Sequence, residues 1–140
     1  MKIIFLDIDG VLNNYDTLTD ENWNERKWEP NLVEMLKRII KETGAEIVLS
    51  STWRKIESYC DIIKNDMKIN YIGKTPVLWK KRGIEIQTWL DENPGVEKFV
   101  ILDDDSDMVH LMDHLLQTDG EFGLTEEIAD EAIEMLNKRI

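Results

Sequence analysis

Two carboxylate clusters and a few well-placed donors carry the residue types from which this chain could build chemistry. Asp7 and Asp9 follow the apolar run Ile3-Ile4-Phe5-Leu6 and precede Gly10-Val11-Leu12. Asp103, Asp104 and Asp105 follow Phe99-Val100-Ile101-Leu102. Carboxylates brought close together repel unless a cation sits between them or one keeps its proton. An all-oxygen donor set suits a hard cation that retains several waters, so Mg2+ fits better than a soft metal. No Cys/His spacing of the zinc kind is present. An Asp beside a bound cation can attack phosphorus, and phosphoryl transfer needs positive charge around the transferred oxygens. Ser50, at the end of Ile47-Val48-Leu49, can donate a hydrogen bond, and Lys80-Lys81-Arg82 is a short basic run in an acidic chain. Taken alone, Asp-x-Asp is more often a strand-end turn, and a basic run more often a solvated surface patch.

The elements that must position these residues can be read from apolar periodicity. Residues 2–8 read as a first strand, and its continuous apolar run Ile3-Ile4-Phe5-Leu6 is of the kind found in strands buried on both faces. Residues 13–29 are polar and irregular, with Trp23 and Trp28 embedded. Pro30 opens a helix whose apolar residues Leu32, Val33, Leu36, Ile39 and Ile40 recur at helical spacing, and Gly44 ends it. Residues 45–49 read as a second strand. A helix with Ile56, Tyr59, Cys60 and Ile63 on one face follows, then a weak strand over Lys68–Ile72. Ile86, Trp89 and Leu90 mark another helix, stopped by Asn93-Pro94-Gly95. Residues 98–102 form a strong strand, 107–118 have no clear type, and Thr125 caps a last helix with Ile128, Ala132, Ile133 and Leu136 on its apolar face. Strands alternating with helices imply an α/β fold: a Rossmann-like three-layer α/β/α sandwich with a mainly parallel sheet. Ligand sites in such sheets lie at the carboxyl ends of the strands. Asp7, Asp9, Ser50, Asp103 and Asp104 all fall there.

The chain has 140 residues and a formal charge of −12. That length supports one domain with a real core, expected over residues 1–140. The charge disfavours broad attraction to nucleic acid or anionic lipid. No window is long and apolar enough for a membrane span. The first residues read as a strand rather than a signal peptide, and Cys60 has no second cysteine to pair with, so a reducing, cytoplasmic setting is expected. Cys60 itself reads as a packed residue.

In this order the residues resemble the four motifs of the haloacid dehalogenase (HAD) superfamily. Asp7-Ile8-Asp9-Gly10-Val11-Leu12 matches the first, Ser50 the second, a basic residue ahead of the next helix the third, and Asp103-Asp104 the fourth. Arg82 is the candidate for the third; that motif is usually Lys, and Lys81 is the alternative. Within the superfamily, Leu49-Ser50-Ser51-Thr52-Trp53-Arg54, Arg82 to Leu90, and Thr118-Asp119 with Gly123-Leu124-Thr125 resemble the HAD domain of Swiss Army Knife RNA repair proteins. The resemblance implies a phosphatase in which Asp7 is the nucleophile and Asp9 the acid and base. Ser50 and Arg82 would hold phosphate oxygens. Asp7, the backbone carbonyl of Asp9 and Asp104 would bind Mg2+, with Asp103 beside it. Asp at position 9 departs from the Thr typical of superfamily ATPases and points to a phosphatase or phosphotransferase.

No large cap domain is expected, because only about 20 polar residues separate Asp9 from the Pro30 helix, too few for an independent domain. A small flap from residues 13–28 is the most that fits. An open site admits a phosphate on a large molecule such as a nucleic-acid end, or equally a small molecule if another subunit closes it; the family resemblance implies a nucleotide or a nucleic-acid end. Trp23, Trp28, Trp53 and Trp79 could stack bases, although a Trp is more often core. Arg54 could orient the Ser50 loop, reach a substrate phosphate, or form a structural ion pair. A non-catalytic binding module with the same fold is the rival reading, and a phosphotransferase differs only in its acceptor. His110 and His114 suggest no role, and the oligomeric state is not legible.

Overall fold

The structure is a computed structural model and describes residues 1–19 and 27–139. Trp23 and the middle of the expected flap lie outside the described residues. Five strands form one sheet in which every pairing is parallel: β1 (Lys2–Leu6), β2 (Glu46–Leu49), β3 (Tyr71–Lys74), β4 (Lys98–Asp103) and β5 (Leu115–Gln117), in the order β3-β2-β1-β4-β5. The helices are α1 (Tyr15–Thr19), α2 (Pro30–Thr43), α3 (Glu57–Asp61), α4 (Arg82–Glu92) and α5 (Glu126–Asn137). No helix among the described residues is long and apolar enough to cross a membrane.

Period-two alternation along β1 explains the layering. Ile4 and Leu6 join the core under α2, α3 and α5, whereas Ile3 and Phe5 join Ile86 and Trp89 of α4 on the opposite face. Both faces are covered, so β1 is apolar throughout and its side chains are fully buried from Ile3 to Leu6. Phe5 sits edge-on to both Trp89 and Phe99, with centroids 5.6 Å apart in each pair. Such contacts add about 1 kcal/mol each beyond area burial. On the other face, Arg38 of α2 bridges to Asp130 of α5.

Helix ends follow their sequence signals. Pro30 starts α2, Gly44 closes it at φ 72°, and Thr125 accepts a hydrogen bond from the Ile128 amide at the start of α5. Three expectations shift. The strand expected at Lys68–Ile72 is β3, Tyr71–Lys74, because Lys68 takes a left-handed φ of 58° and Ile69 turns into the core ahead of the strand. The helix expected around Ile56 and Ile63 is broken: a 3-10 turn (Thr52–Lys55) leads into α3, which widens into a π turn (Ile62–Asp66). Ile56 is the residue ahead of α3 and is 46% exposed, off the packed face. The untyped stretch 107–118 resolves into a 3-10 turn (Val109–His114) and β5.

Candidate active site

Each strand of the sheet hands over to a polar residue at its carboxyl end, and the backbone ladder runs one step past the strands to hold them. The Asp7 amide donates to the Leu102 carbonyl (2.9 Å), Ser50 to Leu6 (3.0 Å), Thr75 to Leu49 (2.9 Å) and Thr118 to Asp103 (2.9 Å). The first residues after the strands are thus as rigidly placed as the strands themselves, which is what a preorganised site needs.

The β1 turn is built around Gly10 and Asn13. Gly10 has φ 81°, and a Cβ there would overlap the Asp104 carboxylate, so only glycine lets the two loops approach. The fully buried Asn13 accepts from the Gly10 amide (2.8 Å) and donates through Nδ2 to Asp9 Oδ1 (2.9 Å) and the Lys27 carbonyl (3.0 Å). The Trp53 indole N–H also reaches Asp9 Oδ1 (3.2 Å). The Asp9 side chain is thereby fixed, while Asp9 itself remains exposed to solvent. Thr118 Oγ1 donates to the Gly10 carbonyl (2.6 Å) and ties β5 to the same turn.

Asp7, Asp103 and Asp104 each offer a carboxylate oxygen, and these three oxygens lie within 4.8 Å of one another. Asp7 and Asp103 are buried and Asp104 is exposed. Burial pushes the Asp7 carboxyl well above its usual range; Asp103 and Asp104 add to the shift and Arg82 opposes it. Burial also raises Asp103, against the pull of Arg82. Arg82 Nη1 lies 2.6 Å from Asp103 Oδ2 and 3.4 Å from Asp7 Oδ2. Burial would lower the Arg82 pKa, but the two carboxylates outweigh it and hold the guanidinium firmly charged. One guanidinium against three carboxylates leaves excess negative charge, and the donor set is all oxygen. The cluster therefore fits a hard divalent cation such as Mg2+. The Asp9 carboxylate, expected among the metal ligands, is not part of this cluster.

Arg82 reaches this point because α4 begins there. Lys81 precedes the helix, and the Arg82 amide donates to Asp107 Oδ2 (3.3 Å). A Cβ at Gly83 would overlap the Met108 carbonyl, so the Arg82-Gly83 pair lets the first turn of α4 press directly on the loop after β4.

The Ser50 hydroxyl is fully buried and has no hydrogen-bond partner among the described residues. An orphaned buried hydroxyl is uncommon and is a feature of sites with a catalytic role or a bound water or ion. Its loop is held by Arg54, which donates to the carbonyls of Ser50 (3.1 Å), Ser51 (2.8 Å), Thr75 (3.0 Å) and Pro76 (3.3 Å) and pairs with Glu85 of α4 (3.0 Å). Arg54 is therefore a structural ion pair that orients the Ser50 loop, and its donors are engaged within the fold. Trp53 is likewise core rather than a stacking platform, and Trp28 packs against the core.

Sequence reading missed Asn13, Glu85 and the clamp role of Thr118. Asn13 follows the Asp-x-Asp-Gly turn by three residues, and that spacing was the available signal. A cleft of about 550 Å3 opens beside Asp9 and Asp104, lined also by Gly10, Asn13, Tyr15, Gln117, Thr118, Asp119 and Gly120.

No curated protein matches the chain. A family model described as the HAD domain in Swiss Army Knife RNA repair proteins matches residues 3–129, nearly the whole length, and covers the Asp7 turn, the Ser50 loop, the start of α4 and the Asp103-Asp104 loop. The parallel sheet, its strand-end carboxylates and this match agree: the chain belongs to that family of HAD domains.

Proposed function

We propose that this chain is a Mg2+-dependent phosphohydrolase that works through an aspartyl-phosphate. The observation that carries the reading is the convergence of Asp7, Arg82, Asp103 and Asp104 at one edge of the sheet, beside the unpaired Ser50 hydroxyl. Membership of a HAD family supports it.

In this reading an Asp7 oxygen attacks phosphorus and the bond to the leaving oxygen breaks, while Asp9 delivers a proton to that oxygen. Asp9 then takes a proton from water, the water oxygen attacks phosphorus, and Asp7 is released with inorganic phosphate. Asp9 suits both steps because Asn13 and Trp53 fix one carboxylate oxygen while the residue stays open to solvent. Ser50 donates to a phosphate oxygen. Arg82 holds another and balances the charge that builds in the transition state. Mg2+ held by Asp7, Asp104 and the Asp9 carbonyl would supply further positive charge there. Asp103, engaged by Arg82 and by the Asp105 amide (2.9 Å), sets the position of the guanidinium.

The substrate we assign is a phosphate monoester on a nucleotide or a nucleic-acid end. Two features support it: the family's association with RNA repair and connections too short for a cap domain. The test is phosphate release, with Mg2+ and with chelator, from nucleotides, sugar phosphates and oligonucleotides phosphorylated at either end. Chelator-sensitive release is expected, with nucleotides or oligonucleotides preferred. Metal binding without release from any of them would mark a non-catalytic module, and release from sugar phosphates alone would overturn the substrate class.

A further inference from the structure

A pocket of about 270 Å3 is lined by Arg54, Lys55, Trp79, Lys80 and Arg82, together with the acids Glu85 and Asp107. We propose that this pocket and the Trp79 ring form a nucleotide subsite, which receives the base and backbone phosphate adjoining the phosphate held at Asp7. The inference rests on the phosphohydrolase reading and narrows its substrate to single-stranded nucleic acid with a terminal phosphate.

Three observations carry it. Trp79 is 84% exposed, whereas Trp53 and Trp89 are buried in the core. A large aromatic ring left in water forgoes the burial that usually places it. Its backbone is also held at φ 59°, a conformation that a bulky residue takes only where its surroundings impose it. Finally, the ring stands among cations in a chain whose net charge is −12. Lys55 Nζ lies 4.4 Å from the Trp79 centroid, and Lys80 and Arg82 line the same pocket. Of the two carboxylates there, Glu85 is engaged by Arg54 and the Leu78 amide, and Asp107 accepts from the Arg82 amide through Oδ2 while its buried Oδ1 has no hydrogen-bond partner among the described residues. An exposed aromatic face flanked by Lys and Arg is the arrangement that binds single strands, the ring stacking a base and the cations meeting the backbone. Arg82 lies 3.4 Å from Asp7, so the subsite adjoins the proposed nucleophile.

The test is fluorescence anisotropy of labelled single-stranded RNA with a terminal phosphate, bound to Asp7→Asn protein so that nothing turns over. Trp79→Ala should weaken binding about tenfold, and Trp79→Phe should restore most of it. Lys55→Ala with Lys80→Ala should flatten the salt dependence by about 1.4 in log–log slope, from about 0.7 per contact on a single strand. Lys37→Ala with Lys41→Ala, the same charge change on α2, should alter neither quantity. Equal binding by Trp79→Ala and its parent overturns the subsite. So does a mononucleotide that binds as tightly as the oligonucleotide, or polyglutamate that competes as well as RNA. Hydrolysis of p-nitrophenyl phosphate by the unmutated protein reads the catalytic assignment separately. If it proceeds while Trp79 proves irrelevant, the subsite fails and the phosphohydrolase stands. If RNA binding depends on Trp79 and no phosphate ester is cleaved, the nucleic-acid site stands and the phosphohydrolase fails.

Discussion

Arg54 Nη2 and Glu85 Oε1 form a buried ion pair 3.0 Å long that joins the Ser50 loop to the helix carrying Arg82, with side chains only 3% and 8% exposed. Two groups proposed to hold phosphate thus share one brace. Burial lowers the Arg54 pKa and Glu85 opposes that shift, so neither charge is well accommodated without the other.

Removing one partner should be more harmful than its distance from the chemistry suggests. Arg54→Ala or Glu85→Ala should lower stability by about 3–5 kcal/mol, the range for a broken buried pair. Arg54→Lys restores charge but not the fork that spans four carbonyls. We expect it to fold, to melt lower, and to lose kcat more than KM, because Ser50 and Arg82 move relative to Asp7. Thermal melts beside steady-state kinetics check this; a fully stable Arg54→Lys with native kcat would mean that the brace does not position the site.

The carboxylate cluster should make the metal-free protein sensitive to pH. Asp7 and Asp103 have folded pKa values raised above the ordinary 3.8, mainly by burial. The folded state therefore holds protons that the unfolded chain has released, and stability falls as pH rises from about 4 through the raised folded values. Mg2+ binds the folded form and should reverse the loss. In chelator, Asp7→Asn should melt higher than the parent at neutral pH, with a flatter pH profile and a smaller gain from Mg2+. Melting curves across the acid-to-neutral range decide the point, and a parent that grows more stable as pH rises through this window would contradict it.

Asn13 and Trp53 hold the proposed acid and base from two sides. Trp53→Phe keeps most of the packing and removes the 3.2 Å donor to Asp9, and Asn13→Ala removes the 2.9 Å donor together with the Gly10 contact. Losses of outer-sphere partners commonly reduce activity by about 10–100-fold. Asn13→Ala should fall in that range and Trp53→Phe nearer its lower end. The pH–rate profile of each should change shape, which a general loss of folding would not produce.

Arg82 and Lys81 are neighbours with different surroundings. Arg82 pairs with Asp7 and Asp103, whereas Lys81 is exposed at the start of α4. Arg82→Ala should lower kcat by about 100-fold or more, as when a transition-state donor is lost. Lys81→Ala should change it little. The reverse pattern in steady-state assays would move the phosphate-holding role to Lys81.

Much of this arrangement was legible in the sequence because the chemistry sits where apolar runs stop. Asp7 and Ser50 follow, and Asp103 ends, a strand whose apolar run must be buried on both faces, and in a parallel sheet such strand ends share one edge. What escaped is what long-range contacts decide. β5 spans only Leu115–Gln117, too short for alternation to show, and it forms because β4 offers a ladder beside it. The shift of β3 comes from the left-handed turn at Lys68, which no turn residue announces. Asn13 reads as one more loop residue until the Gly10 turn folds onto it. For Arg54, the sequence offered three roles, and burial beside Glu85 selects between them.

The central claim is that Asp7 attacks phosphorus. Its most direct test is phosphate release by Asp7→Asn beside the parent protein, in Mg2+, on whichever ester the parent cleaves best, with both shown by circular dichroism to be folded. The substitution preserves size and removes the attacking oxygen and a charge at the metal site. The account predicts that turnover falls by orders of magnitude while the fold persists. Near-native turnover by folded Asp7→Asn would contradict it.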